Sequence, residues 1–218
     1  MPALPYSTII FDLDGTLSDP REGVFKGFRY ALRKMGREFD GQADLSMHIG
    51  PPLPEVFRSY FFETEEEVLR AIAFFREYYA ATGLFENSLY EGIGDLVKIL
   101  RAGGARLAVA TYKPQRFAEQ ILRHFEIADA FGLICGADEI APEPKAELLQ
   151  KILRQANGPA VLVGDTRYDI IAAKAAGIDC IAVSYGFGKA DELRDANYVV
   201  HSVEELKSLL SAQAAGAS

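Results

Sequence analysis

Two pairs of closely spaced acids stand near opposite ends of this 218-residue chain, Asp12 with Asp14 and Asp165 with Asp169. Between them in sequence lie Thr111 and Lys145, each where an apolar or proline-rich stretch gives way to polar residues. Asp12 and Asp14 flank a single leucine, so while the chain stays extended both carboxylates leave the same face. Carboxylates held about 4 Å apart repel by roughly 4 kcal/mol at an effective dielectric near 20, unless a cation or a shared proton intervenes. Asp165 and Asp169, spaced i and i+4, share a face if a helix starts promptly. Hard oxygen ligands at this density suit Mg²⁺, and carboxyl groups so crowded suit nucleophilic and acid–base work. A hydroxyl at Thr111 and an ammonium at Lys145 suit an anionic substrate.

Taken singly, each of these residues also has an ordinary explanation. An Asp-Gly pair after a strand is a common acidic turn. A strand-end threonine can cap the next helix, and an acid in a first helical turn, such as Asp169, is favoured by the helix dipole. A lysine at the start of a helix is usually solvated, although it runs against the preference for acids there. Any shared chemistry therefore depends on whether the fold brings these residues together.

The elements that must do this are legible as hydrophobic rhythm. Ser7-Thr8-Ile9-Ile10-Phe11 runs straight into Asp12, as a buried parallel strand delivering acids to its C-terminal edge would. From Tyr90 onward strands and helices alternate. Helices are predicted over 94–102, 115–125, 145–155 and 168–176, and strands over 106–110, 131–135, 160–163, 180–183 and 198–200, with a last helix boxed by Ser202 and Glu205. This alternation predicts an α/β fold, a Rossmann-like parallel sheet covered on both faces. Thr111 and Asp165 then project from the same sheet edge as Asp12, the edge where open α/β sheets bind ligands.

One block breaks the rhythm. From Ser18 to about Leu84 only helical patterns appear: one after Pro20, one over 55–62, and one opened by the capping box Thr64-Glu65-Glu66-Glu67. The expected organisation is an α/β core formed by 1–17 and 85–218, with a small α-helical cap domain inserted at 18–84. A tail rich in Ala, Gly and Ser after Leu210 is expected to fray.

Composition narrows the partners. Hydrophobic residues at 49% and charged residues at 25% describe an ordinary soluble globular chain, and the net charge of −8 argues against a nucleic acid polymer, which needs a basic stripe. A small phosphorylated ligand remains compatible, since a few placed cations or a metal can reverse the local field. Cys135 and Cys180 have no metal-binding spacing and read as buried reduced thiols. No apolar run approaches the length of a membrane span, and the N-terminus has no targeting pattern, so a cytoplasmic location is expected.

The order Asp12-Leu13-Asp14-Gly15-Thr16, then a strand ending in Thr111, then Lys145, then Gly164-Asp165-Thr166-Arg167-Tyr168-Asp169 resembles the haloacid dehalogenase superfamily of phosphohydrolases. The resemblance covers nearly the whole chain, with the helical block in the position of the family's cap. It implies a Mg²⁺-dependent phosphomonoesterase in which Asp12 attacks phosphorus to form an aspartyl-phosphate. Asp14 is then the general acid and base, while Thr111 and Lys145 bind the phosphoryl group. The implied metal ligands are the Asp12 and Asp165 side chains and the Asp14 backbone carbonyl, with Asp169 bound directly or one layer out. Arg21 and Arg58 in the helical block could offer charge to the substrate. His48, a lone loop histidine, reads as structural or solvated. Tyr112 stands where the family often has Ser or Asn.

Met47-His48-Ile49-Gly50-Pro51-Pro52-Leu53 and Tyr185-Gly186-Phe187-Gly188 resemble the phosphoglycolate phosphatase and 5′-nucleotidase-like branch. The resemblance therefore implies small phosphorylated metabolites, nucleoside 5′-monophosphates first and phosphoglycolate as the alternative, with the chain a monomer or homodimer. A phosphomutase shares the core and would differ in the cap. A non-enzymatic phospho-acceptor also uses a strand-end Asp, a Thr, a Lys and Mg²⁺, but such modules are shorter and lack a helical insertion.

Overall fold

The structure is a computed structural model that describes residues 6–37, 45–60, 62–139 and 142–211. In chain order its elements are β1 (Thr8–Phe11), β2 (Ser18–Asp19), α1 (Arg21–Lys34), α2 (Leu53–Tyr60), α3 (Glu65–Ala81), β3 (Ser88–Leu89), α4 (Ile93–Ala102), β4 (Arg106–Pro114), α5 (Gln115–His124), β5 (Phe131–Ala137), α6 (Lys145–Leu153), β6 (Ala160–Gly164), α7 (Arg167–Ala176), β7 (Asp179–Val183), β8 (Tyr198–Val200) and α8 (Val203–Ser211). Of the tail expected to fray after Leu210, Ser211 still belongs to α8 and the rest lies outside the described residues. Two compact units result: Met1–Asp19 with Leu89–Ser218, and Pro20–Ser88.

The first unit is an α/β layer structure built on a six-stranded sheet of order β5-β4-β1-β6-β7-β8, every neighbouring pair parallel. All four residues of β1 are buried, which a strand tolerates only in the middle of a covered sheet. Its register aligns Phe11 with Val109 of β4 on one side and with Val163 of β6 on the other. After β1 the chain builds β4 and β5 outward on one side, then returns to lay β6, β7 and β8 on the other. That reversal makes the C-terminal end of β1 the topological switch point, where open sheets form a crevice.

Period-two alternation sorts the core. Ile10, Ala108, Ala110, Leu162, Cys180 and Ala182 join Leu148, Leu149 and Ile152 of α6 and Ile170 and Ala173 of α7 in one buried cluster. α4 and α5 pack on β4 away from that cluster, and α8 packs on α4 and β8. β4 runs to Pro114, past the expected end at Ala110, because β5 continues to pair beside it through a register irregularity between Thr111 and Pro114.

The second unit is helical. Phe28 of α1 is fully buried, its ring centroid 5.2 Å from that of Phe57 in α2 and 5.1 Å from that of Phe75 in α3. The capping box at Thr64 forms: Glu67 N–H donates to Thr64 Oγ1, and Thr64 N–H donates to Glu67 Oε2. His48 is buried in the same unit with its ring tilted onto Phe28, a packed rather than solvated position.

Candidate active site

β1 ends at Phe11, but Asp12 N–H still donates to Val163 O at 2.8 Å, so Asp12 rides on the rim of the sheet. Beyond it the chain coils. Leu13 O accepts the N–H groups of Thr16, Leu17 and Ser18, and Gly15 takes the left-handed conformation at φ +83°. A side chain at position 15 would also put its Cβ 2.1 Å from Asp165 Oδ2, so glycine is required there on two counts.

This coil separates the partners of the two N-terminal acids, which an extended chain would have left side by side. Asp12 Oδ1 accepts the Leu13 N–H at 2.7 Å, and Oδ2 lies 2.8 Å from Lys145 Nζ. Asp14 instead pairs with Lys113, Oδ2 to Nζ at 2.7 Å, while its buried Oδ1 has no hydrogen-bond partner among the described residues.

Lys145 is the first residue of α6 and is 2% exposed. Its ammonium bridges Asp12 and Asp169 Oδ1, the latter at 2.6 Å. Pro144 at the N-cap offers no side-chain acceptor, and the orphan N–H of Lys145 is taken by the Tyr112 hydroxyl at 3.2 Å. The Tyr112 ring centroid lies 5.4 Å from Nζ. Tyr112, where the family's pattern often has a smaller side chain, thus braces the backbone and the ammonium of Lys145 together.

Asp165 follows β6 directly and is fully buried. Its Oδ1 accepts from Thr16 Oγ1 at 3.3 Å and its Oδ2 from Phe187 N–H at 2.8 Å. Asp169, also fully buried, closes the first turn of α7, its Oδ2 accepting both the N–H and the hydroxyl of Thr166. It is therefore at once a helix-capping acid and a partner of Lys145. Thr111, 2% exposed at the same rim, has its Oγ1 accepting the Lys113 N–H at 3.2 Å.

One oxygen from each of Asp12, Asp165 and Asp169 lies within 4.8 Å of the other two. Counted as ionised, three carboxylates against one ammonium leave two negative charges at a buried site. Burial pushes Asp12 up to about 6, against the opposing pull of Lys145. Asp165 is held well above the usual carboxylate range, by burial first and then by Asp169 and Asp12. Burial works against the charge of Lys145, but Asp12 and Asp169 together outweigh it and raise its pKa. An all-oxygen donor set with a surplus of two negative charges fits a divalent hard cation in charge and in ligand type.

Arg21 and Arg58 belong to the helical unit and are exposed, Arg58 paired with Glu65 at 2.8 Å. Sequence reasoning did not assign Lys113, although it sits two residues beyond Thr111, on the same pleat face of a strand end. It also overlooked the Thr166-x-x-Asp169 capping pattern, and it could not see that the Tyr185–Gly188 loop returns to Asp165.

Comparison with known proteins identifies the relatives of the chain. Residues 9–183 match the family model described as haloacid dehalogenase-like hydrolase. A 5′-nucleotidase of Pseudomonas aeruginosa is 38% identical over 211 residues, covering 95% of each chain. Phosphoglycolate phosphatase 1 of the same organism is 33% identical over 190 residues, covering 82% of this chain and 70% of that one. The solved structure of protein tyrosine kinase A from Mycobacterium tuberculosis superposes with a TM-score of 0.82 at 36% identity, covering 94% of this chain and 98% of that one.

Proposed function

The chain belongs to the haloacid dehalogenase-like hydrolase family and is a phosphatase of that family; on this premise we propose that it is a Mg²⁺-dependent phosphomonoesterase working through an aspartyl-phosphate on Asp12. The observation that carries the reading is the buried Asp12–Asp165–Asp169 cluster around Lys145 at the switch point of the sheet. A phosphate monoester dianion resists an anionic nucleophile unless its charge is neutralised.

Asp12 is the nucleophile. What supports this is its position at the rim of β1, its pinned Oδ1, and an Oδ2 that keeps a lone pair while touching Lys145. Attack forms the bond from Asp12 to phosphorus as the bond to the leaving oxygen breaks, which divides one hard displacement into two easier ones. Asp14 gives a proton to the leaving alkoxide and then takes one from the water that hydrolyses the acyl-phosphate. Lys113, paired with Asp14, sets where that carboxyl group waits. Lys145 counters the charge of Asp12 and of the phosphoryl oxygens, Thr111 donates its hydroxyl to one of them, and Asp169 holds Lys145 in place. Bound through Asp12, Asp165 and the Asp14 carbonyl, Mg²⁺ would neutralise the two surplus charges and polarise the phosphoryl group. The two Asp169 oxygens already engage Thr166 and Lys145, which favours a role one layer out from the metal. The helical block, expected over about 18–84, would serve as the cap, and Arg21 and Arg58 are the cations it could offer a substrate anion, Arg58 at the cost of its pairing with Glu65.

For substrate, nucleoside 5′-monophosphates come first, supported by the near full-length match to a 5′-nucleotidase. Phosphoglycolate is the second reading, supported by the shorter match to a phosphoglycolate phosphatase. A panel of nucleoside 5′-monophosphates, 2-phosphoglycolate and sugar phosphates, assayed with EDTA and with Mg²⁺, tests both levels. Turnover that persists undiminished in EDTA would remove the metal from the scheme, and a clear preference for 2-phosphoglycolate would reverse the substrate order.

A further inference from the structure

We propose that Tyr185, at the head of the loop after β7, is a positioning residue that fixes the Asp165 carboxylate for the divalent cation. The inference rests on the metal-dependent reading above. The stretch Tyr185-Gly186-Phe187-Gly188 contributes no group to the chemistry, yet it touches both acidic segments of the site.

The Tyr185 hydroxyl donates to Thr16 O at 3.0 Å. Two residues later Phe187 N–H donates to Asp165 Oδ2 at 2.8 Å, and Thr16 Oγ1 donates to Asp165 Oδ1 at 3.3 Å. These three bonds close a ring running from the turn after β1, through the loop after β7, to the carboxylate after β6 and back. With one donor on each oxygen the carboxylate plane cannot rotate freely, and each oxygen keeps a lone pair for a cation. Between the two donors sits Gly186, where a Cβ would fall 2.4 Å from Asp165 Cβ and 2.4 Å from Gly15 O. The loop therefore lies directly against both segments.

Tyr185 is itself held. Its ring meets Tyr90 edge to face, with centroids 4.8 Å apart. Removing the hydroxyl leaves this aromatic contact and both donors to Asp165 in place but opens the ring of hydrogen bonds at Thr16, so the groups that orient Asp165 are held less firmly, without the loss of any metal ligand. Outer partners of this kind typically govern metal affinity by about 10- to 100-fold.

The test measures Mn²⁺ binding to the full chain, by electron paramagnetic resonance of the free ion, in wild type, Tyr185→Phe, Gly186→Ala and Tyr6→Phe. The last variant removes a comparable phenol hydrogen bond, to Asp179, at the opposite edge of the sheet. Tyr185→Phe is expected to weaken Mn²⁺ by about tenfold while turnover at saturating Mg²⁺ stays within about twofold. Gly186→Ala, which keeps every donor but pushes on Asp165, is expected to weaken Mn²⁺ at least as much, and it serves as the second readout should Tyr185→Phe fold poorly. Tyr6→Phe is expected to lower Tm and leave the affinity unchanged. Wild-type affinity in a folded Tyr185→Phe, or an equal loss in Tyr6→Phe, would overturn the assignment of Tyr185 alone; should Tyr185→Phe fold poorly, wild-type affinity in Gly186→Ala would do the same. Wild type that takes up no Mn²⁺ would overturn the metal-dependent reading along with it.

Discussion

Replacing Asp12, the proposed nucleophile, by its neutral isostere, Asp12→Asn, should make the metal-free protein more stable near neutral pH. In the folded chain burial raises Asp12 from 3.8 to about 6, even with Lys145 opposing it. An acid whose pKa is higher in the folded than in the unfolded state favours folding while it keeps its proton, and that stability is lost as pH rises through the folded value. At about 1.4 kcal/mol for each tenfold change in acidity constant, the loss is complete at roughly 3 kcal/mol by about pH 8. It vanishes below about pH 4, where both states are protonated. The carboxamide has no such charge to bury. Urea unfolding in EDTA should therefore show Asp12→Asn more stable than wild type by about 3 kcal/mol near pH 8, with the gap closing as pH falls. A gain of that size is a sizeable fraction of the net stability of a domain. On the proposed metal-dependent reading, saturating Mg²⁺ should reverse the order, because only wild type would keep the full ligand set. Asp12→Asn no more stable than wild type near pH 8, or a gap unchanged down to about pH 4, would refute the claim that burial of charge dominates at this site.

Asp14→Asn should lower turnover by about 10²- to 10⁴-fold, the usual worth of a positioned acid–base group, and near-wild-type turnover would remove Asp14 from that role. Lys145→Met leaves three buried carboxylates without their ammonium and should destabilise the metal-free chain by about 3–5 kcal/mol near pH 8, seen as a lowered urea midpoint; an unchanged midpoint would contradict the bridging geometry. Tyr112→Phe strips the acceptor from the Lys145 N–H and should cost about 1 kcal/mol in the same measurement, whereas no cost would mean that the α6 N-terminus is satisfied elsewhere.

The sequence by itself determined the sheet and the address of the candidate site. An unbroken apolar run before Asp12, and alternating strand and helix patterns after Tyr90, leave little choice but a covered parallel sheet with its ligand edge at the ends of β1, β4 and β6. Local chemistry was legible too, as at the capping box of Thr64, because a helix start is decided within one turn. The pairing of charges was decided only by the tertiary structure. Asp12 and Asp14 look like partners along the chain, yet the coil after Phe11 hands one to Lys145 and the other to Lys113, because which ammonium reaches which carboxylate depends on β4 and α6 arriving from distant sequence. The same holds for Tyr112 beneath Lys145 and for the Tyr185 loop against Asp165. Hydrophobic periodicity is written residue by residue, whereas the field inside a buried site is the sum over groups that only the completed fold brings within a few ångströms.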